Sequence, residues 1–138
     1  MGHEGAALVN RWFDEVWTQG REATIDELMD KTCMVHGLGD NMRGPEAFKI
    51  FHRAYRDAFP DVKITVEQTI CEGEMVCARW SGVGTHRGDG LGFKATNKPV
   101  RFSGMTIARF QNGKLVEGWN VFDQLSMFQQ LGIFTAPV

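Results

Sequence analysis

A single dipeptide, Asn112-Gly113, forces a reversal late in this 138-residue chain. The two central positions of a type I′ hairpin both need positive φ, which Asn and Gly tolerate best, so the pair predicts two antiparallel strands joined by a tight turn. The flanking segments, 99–110 and 114–123, have the matching strand character. A plain two-residue turn sets Phe110 opposite Leu115, Thr106 opposite Trp119 and Phe102 opposite Asp123. Side chains alternate along a strand, so Glu117, Trp119, Val121 and Asp123 are expected on one face together with Phe102, Gly104 and Thr106. Gly104 then leaves room for a ligand or a bulky neighbour.

Upstream lies the cleanest alternation in the sequence, Val62, Ile64, Val66 and Ile70 against Lys63, Thr65, Glu67 and Thr69, which predicts a half-buried strand. The next strand spans 75–85. A three-residue connection, Glu72-Gly73-Glu74, sets Ile70 against Val76, Val66 against Trp80 and Glu67 against Arg79, so that apolar meets apolar and charges pair. Residues 87–98, with Gly88, Gly90 and Gly92, form the longest irregular stretch, a pattern more often functional or mobile than structural.

The first half of the chain reads as helical. Val9, Phe13, Val16 and Trp17 predict an amphipathic helix over 4–19 with Gly20 as its stop, and a shorter helix fits 21–29. A short strand at 32–36 leads through a Gly-rich loop to Pro45, which suits the first turn of a helix over 45–59. The stripe of that helix, Phe48, Phe51, His52, Tyr55 and Phe59, contains one histidine. A last helix covers 124–131. Helices segregated from a run of antiparallel strands indicate an α+β layer fold, here one domain over 1–138, whose curved sheet wraps its helices and leaves a cone-shaped pocket.

Composition excludes several functions. A net charge of -2, with 15 basic residues interspersed among 17 acidic ones, gives no footprint for nucleic acid. No apolar run approaches the ~20 residues of a membrane span and the start lacks a signal-peptide pattern, so a soluble, cytoplasmic protein is expected. Cys33, Cys71 and Cys77 contain no CxxC pair and suggest neither a disulfide framework nor a zinc site. His36, His52 and His86 are too scattered to imply a metal. The glycines at 82, 84 and 88 do not form a dinucleotide fingerprint.

Asp123 is the leading candidate for chemistry, because a carboxylate beside apolar neighbours becomes a usable acid or base near neutral pH. The competing role is structural, since Asp before Gln124-Leu125 is also a good helix N-cap. Glu117 fits a salt bridge, Trp119 a pocket wall or the core, and His52 a hydrogen-bonded core histidine. His36 is placed for a cavity mouth, whereas His86 begins the irregular loop.

Several segments resemble the SnoaL-like polyketide cyclases, within the nuclear-transport-factor-like (cystatin-like roll) superfamily. They are Trp12-Phe13-Asp14-Glu15-Val16-Trp17, Gly44-Pro45-Glu46-Ala47-Phe48, Ala58-Phe59-Pro60-Asp61, Arg79-Trp80, Gly84-Thr85-His86-Arg87-Gly88, and Gly113-Lys114-Leu115-Val116-Glu117-Gly118-Trp119 with Asp123. The resemblance implies an α+β barrel, often dimeric, that closes rings by aldol chemistry without metal or cofactor. It implies Asp123 as acid/base with His36, His86 and Trp119 as pocket residues and a homodimer as the assembly; Phe13, His52, Trp80 and Phe102 complete the residues expected around a hydrophobic carbonyl substrate. Phe13 stands where some relatives would have a tyrosine, and no carboxylate follows Arg79 as an epoxide hydrolase of the limonene type would need. The expected function is therefore a cofactor-independent cyclase or isomerase. The alternatives are a non-catalytic small-molecule binding protein and a hydrolase or hydratase using the same aspartate.

Overall fold

A computed structural model describes residues 2–134. Helix α1 (Gly2–Arg11) continues without a break into a π-helical segment, Trp12–Thr18. Helix α2 (Glu22–Leu28) runs directly into strand β1 (Met29–His36), and the two-residue β2 (Met42–Arg43) precedes helix α3 (Gly44–Ala58), which has proline in its first turn. Strands β3 (Lys63–Glu72), β4 (Met75–Thr85), β5 (Pro99–Gln111) and β6 (Lys114–Phe122) follow as a meander, and α4 (Gln124–Leu131) closes the described chain. No helix among the described residues is long and apolar enough to cross a membrane.

The sheet has the order β2-β1-β6-β5-β4-β3 and is not closed into a barrel. The expected α+β class is observed, with one addition: β1 runs parallel to β6, so the sheet is mixed. Its inner face packs on α1, the π segment and α3, around buried residues such as Val9, Val16, Phe48, Val76, Ala78 and Trp80. A second cluster, including Phe59, Val100, Met127 and Leu131, seats α4 at one end, and Ile64, Phe102 and Phe122 border both clusters.

Two β-bulges set which side chains face inward. The Asn112-Gly113 turn forms with φ of 52° and 75°, and Phe110 stands opposite Leu115 as expected. Val116 is then an extra residue: Arg109 pairs with Glu117, Ala108 with Gly118, Ile107 with Trp119, Thr106 with Asn120 and Gly104 with Phe122. A one-residue slip turns every later side chain to the opposite face. The expected pairs Thr106–Trp119 and Phe102–Asp123 are thereby corrected. Gly118, Asn120 and Phe122 point inward, while Trp119 and Val121 are exposed on the outer face.

The β3–β4 hairpin shows the same device. Glu72 pairs with Met75, so the connection is two residues rather than three, and Ile70 lies opposite Cys77, exposed. A bulge at Glu67 restores the register, so Val66 still faces Trp80, whereas Arg79 stands opposite Gln68. In the β3–β4 hairpin the extra residue returns Val66 and Ile64 to the core side after the turn has exposed Ile70, whereas in β6 it turns Trp119 and Val121 out and Gly118, Asn120 and Phe122 in.

Candidate functional site

The sheet, the π segment and α3 enclose a cavity whose lining is dominated by aromatic rings. In a π-helix the bonds run from i to i+5, so its wider turn brings residues five apart over one another. Trp12 and Trp17, five apart, thus both reach the cavity, with Phe13 beside them. Helix α3 contributes Phe48, Phe51 and Tyr55, with Phe59 directly after its end, and the sheet contributes Trp80, Phe102, Phe110 and Phe122. Their rings contact one another in tilted and edge-on pairs, among them Phe13–Trp80 at 5.5 Å and Trp80–Phe102 at 6.0 Å between centroids, the geometry aromatic quadrupoles favour. A Cβ on Gly104 would stand 2.6 Å from the Trp80 ring and 2.7 Å from the Phe122 Cβ, so the space left by that glycine is filled by two bulky neighbours.

One polar line crosses this wall. Trp80 Nε1 donates to Thr106 Oγ1 at 3.1 Å, the Thr106 hydroxyl donates to Asn120 Oδ1 at 2.8 Å, and Asn120 Nδ2 donates to the His36 carbonyl at 3.1 Å. The carbonyl of His36 needs a donor, which fixes the orientation of the Asn120 amide. One Nδ2 hydrogen is used there, and the other has no acceptor among the described residues. Tyr55 carries the other polar group: its hydroxyl oxygen accepts from Gln124 Nε2 at 2.8 Å, and burial pushes its pKa up, against the opposing effect of that hydrogen bond. Among the described lining residues there is no carboxylate, imidazole, amine, guanidinium or thiol. No group of three or more His, Cys, Asp or Glu side chains able to hold a metal occurs among the described residues.

The sequence candidates separate. Phe13, Trp80 and Phe102 line the cavity. Asp123 does not: its exposed carboxylate accepts from Ser126 N at 3.0 Å and caps α4, so the competing role weighed for it is the one it occupies. The physical reason is the bulge at Val116, which turns Phe122 inward and leaves Asp123 past the strand end. His36 and Trp119 lie on the outer face, stacked at 5.6 Å, where His36 Nε2 donates to Glu117 at 2.8 Å and Arg109 joins at 3.3 Å. The His36 bond, with Arg109 assisting against desolvation, holds the Glu117 carboxyl below its ordinary range. Glu117 is therefore in the salt bridge expected of it.

His52 is buried beneath Trp17 and its Nε2 donates to the Val16 carbonyl at 2.6 Å, close to the expected core role and away from the cavity wall. Burial lowers its pKa. His86, expected around the substrate, is fully buried and does not line the cavity: Nδ1 accepts from Thr96 N at 3.2 Å, and its ring lies 5.6 Å from Phe59. The loop after it is pressed on α3, since a Cβ on Gly88 or Gly90 would meet the carbonyls of Asp57 or Ala54 at 2.1 and 2.3 Å.

Sequence reasoning missed Asn120 and Phe122, because only a bulge brings them inward, and Tyr55, which it counted as part of an apolar stripe. Thr106 was assigned to the right strand face but to the wrong partner.

The sequence pattern of the SnoaL-like polyketide cyclases matches residues 7–131. This chain belongs to that family. Among solved structures, it is similar to a candidate polyketide cyclase from Acidithiobacillus ferrooxidans, with 27% identity, 94% of each chain covered and a TM-score of 0.83. IdmH, a candidate polyketide cyclase from Streptomyces antibioticus, has 25% identity over 94% of this chain and 99% of its own, with a TM-score of 0.82. AclR, described as a candidate hydroxylase from Streptomyces galilaeus, shares the fold at 21% identity, covering 99% of this chain and 89% of its own with a TM-score of 0.87. No curated protein matches the chain. Within this SnoaL-like fold Asn120, Thr106 and Tyr55 bring polar groups to the cavity wall, and no charged group lines it among the described residues.

Proposed function

We propose that the protein is a cyclase-type enzyme that holds a neutral, hydrophobic, carbonyl-bearing molecule folded for ring closure. The observation that carries this reading is the aromatic cavity crossed by the Trp80–Thr106–Asn120 line. Aromatic walls restrict the conformers of a flexible chain, and orientation of this kind can supply much of the barrier reduction in an intramolecular reaction. The uncommitted Nδ2 hydrogen of Asn120 donates to a substrate carbonyl and stabilises the negative charge that grows on its oxygen when a carbon–carbon bond forms. A β-dicarbonyl substrate reaches its enol without a protein base. In closure the enol carbon attacks the second carbonyl, the enol hydroxyl gives its proton to water, and the new alkoxide takes one from water.

Asp123 enters this reading as the cap that fixes Gln124 and α4 rather than as the base. The cavity is about 90 Å³, whereas an apolar cavity of about 150 Å³ accepts benzene. A substrate therefore enters by displacing half-buried side chains of the wall such as Leu38 and Phe102. The test is to incubate the purified protein with a linear poly-β-ketone ester and follow ring-closed product by mass spectrometry. Closure above the buffer rate that falls at least tenfold in Asn120→Ala is expected. A rate equal to buffer overturns the cyclase reading.

The lack of a charged group in the wall also favours a second reading, a binding protein that uses the same cavity without chemistry. It predicts saturable binding of the same ester with no product. A hydrolase or hydratase lacks this support, because no base for activating water lines the cavity among the described residues.

The assembly we propose is a homodimer through the outer sheet face. Met105 and Ile107 stand opposite Val121 and Trp119, all four exposed, beside the oppositely charged Arg109 and Glu117. A second copy turned about a two-fold axis meets this apolar patch with its own and can set Arg109 against Glu117 across the contact.

A further inference from the structure

We propose that Tyr55 is a second hydrogen-bond anchor of the cavity, donating its hydroxyl proton to an oxygen of the bound molecule while Gln124 holds the phenol in place; this rests on the reading of the cavity as a small-molecule site. Tyr55 is the only tyrosine in the sequence and it lines the cavity. Its oxygen accepts from Gln124 Nε2 at 2.8 Å, and no acceptor among the described residues takes its own proton. A phenol with one lone pair engaged and its O–H unused is set to donate. Burial favours the neutral form, so the group stays a donor at neutral pH.

The ring has little freedom to turn away. It packs at 4.7 Å from Phe51, edge-on to Trp17 at 6.5 Å and to Phe122 at 6.1 Å. Gln124 is the first residue of α4, directly after the capping Asp123, so the amide that holds the phenol is itself held by the helix start. Two anchors then bracket the apolar wall. Asn120 and Phe122 occupy successive inward positions of β6, about 7 Å apart along the strand, and Tyr55 contacts the Phe122 ring. The ligand class this selects is a neutral, flat, apolar body with two separated oxygen acceptors, one for Asn120 and one for Tyr55. A carboxylate or ammonium ligand is disfavoured, since the described lining residues offer no opposite charge to replace its hydration.

The probes are acetophenone, with one carbonyl, and 1,4-diacetylbenzene, with two, titrated against the tryptophan fluorescence of Trp12, Trp17 and Trp80. One net hydrogen bond corresponds to about fivefold in affinity. Wild type is expected to bind the diketone about fivefold more tightly than the monoketone. Tyr55→Phe is expected to lose that advantage while keeping its affinity for acetophenone, which also shows that the variant is folded. Gln124→Met, which removes the positioning amide, is expected to weaken the diketone alone. Equal weakening of both probes in Tyr55→Phe, an unchanged diketone advantage in that variant, or no diketone advantage in wild type overturns the Tyr55 assignment alone. Failure of wild type to bind acetophenone overturns the cavity reading itself, and the Tyr55 assignment with it.

Discussion

Thr106 and Asn120 stand opposite each other on β5 and β6, and the Thr106 hydroxyl donates to Asn120 Oδ1 at 2.8 Å while accepting from Trp80 Nε1 at 3.1 Å. One hydroxyl thus satisfies two neighbours inside an apolar wall. Thr106→Val keeps the shape and leaves both the indole N–H and the amide oxygen unpaired, a loss of about 1–3 kcal/mol. Thr106→Ser keeps the hydroxyl and loses one methyl, about 0.8 kcal/mol. Urea unfolding of the two variants checks this, and a Val variant as stable as wild type contradicts it.

Asp123 separates capping from chemistry by substitution. Asn caps a helix about as well as Asp, whereas Ala does not and costs about 1 kcal/mol. Asp123→Asn is expected to keep both stability and any ring-closing rate, and Asp123→Ala to lose stability first. A hundredfold fall in rate in a fully stable Asn variant would return the acid/base role to this carboxylate.

His52 gives stability a defined pH dependence. Burial lowers its pKa from the ordinary 6.5. Below 6.5 the unfolded chain takes up a proton that the fold resists until a lower pH, so stability present above that value is lost as pH falls. Wild-type denaturation midpoints are expected to drop between about pH 7.5 and 5.5, and His52→Gln, weaker at the upper end, is expected to show a flatter profile. Parallel profiles for the two proteins would refute this origin.

Removing Val116 tests the bulge. Without the extra residue the pair Phe110–Leu115 is followed directly by Arg109–Glu117, so Gly118, Asn120 and Phe122 keep their inward places and only the local kink is lost. The deletion variant is expected to unfold cooperatively and to keep a native-like near-ultraviolet circular dichroism spectrum. Loss of that spectrum would show that the fold needs the kink at Val116 itself.

The outer face predicts a dimer. Val121, opposite Met105 in the patch, is 76% exposed, so Val121→Lys is expected to convert a dimer to a monomer in sedimentation velocity without altering the far-ultraviolet spectrum. Wild-type protein that sediments as a monomer at tens of micromolar removes the proposal.

Where a pattern was local, the sequence was informative. The stripe of α3, the limits of β4 and the Asn112-Gly113 reversal follow from periodicity and backbone φ, and each appears within a residue or two. What failed was inheritance of register beyond the turn. A bulged residue such as Val116 or Glu67 looks like any strand residue, so alternation counted outward from the turn assigns the wrong face after it. The parallel pairing of β1 with β6 was also invisible, because it joins residues some eighty positions apart, as Asn120 Nδ2 on the His36 carbonyl illustrates. Tyr55 hid within an aromatic stripe, since periodicity reports where a side chain points and not whether its hydroxyl is engaged.

The bulge in β6 means that this strand encodes two interiors at once. One alternating set, Gly118, Asn120 and Phe122, is uncharged; the interleaved set, Glu117, Trp119 and Val121, carries an acid. Which set faces the cavity is decided by whether Val116 stays unpaired or pairs with Arg109, so a change that flattens the kink converts a neutral chamber into an acidic one without altering any residue that lines it.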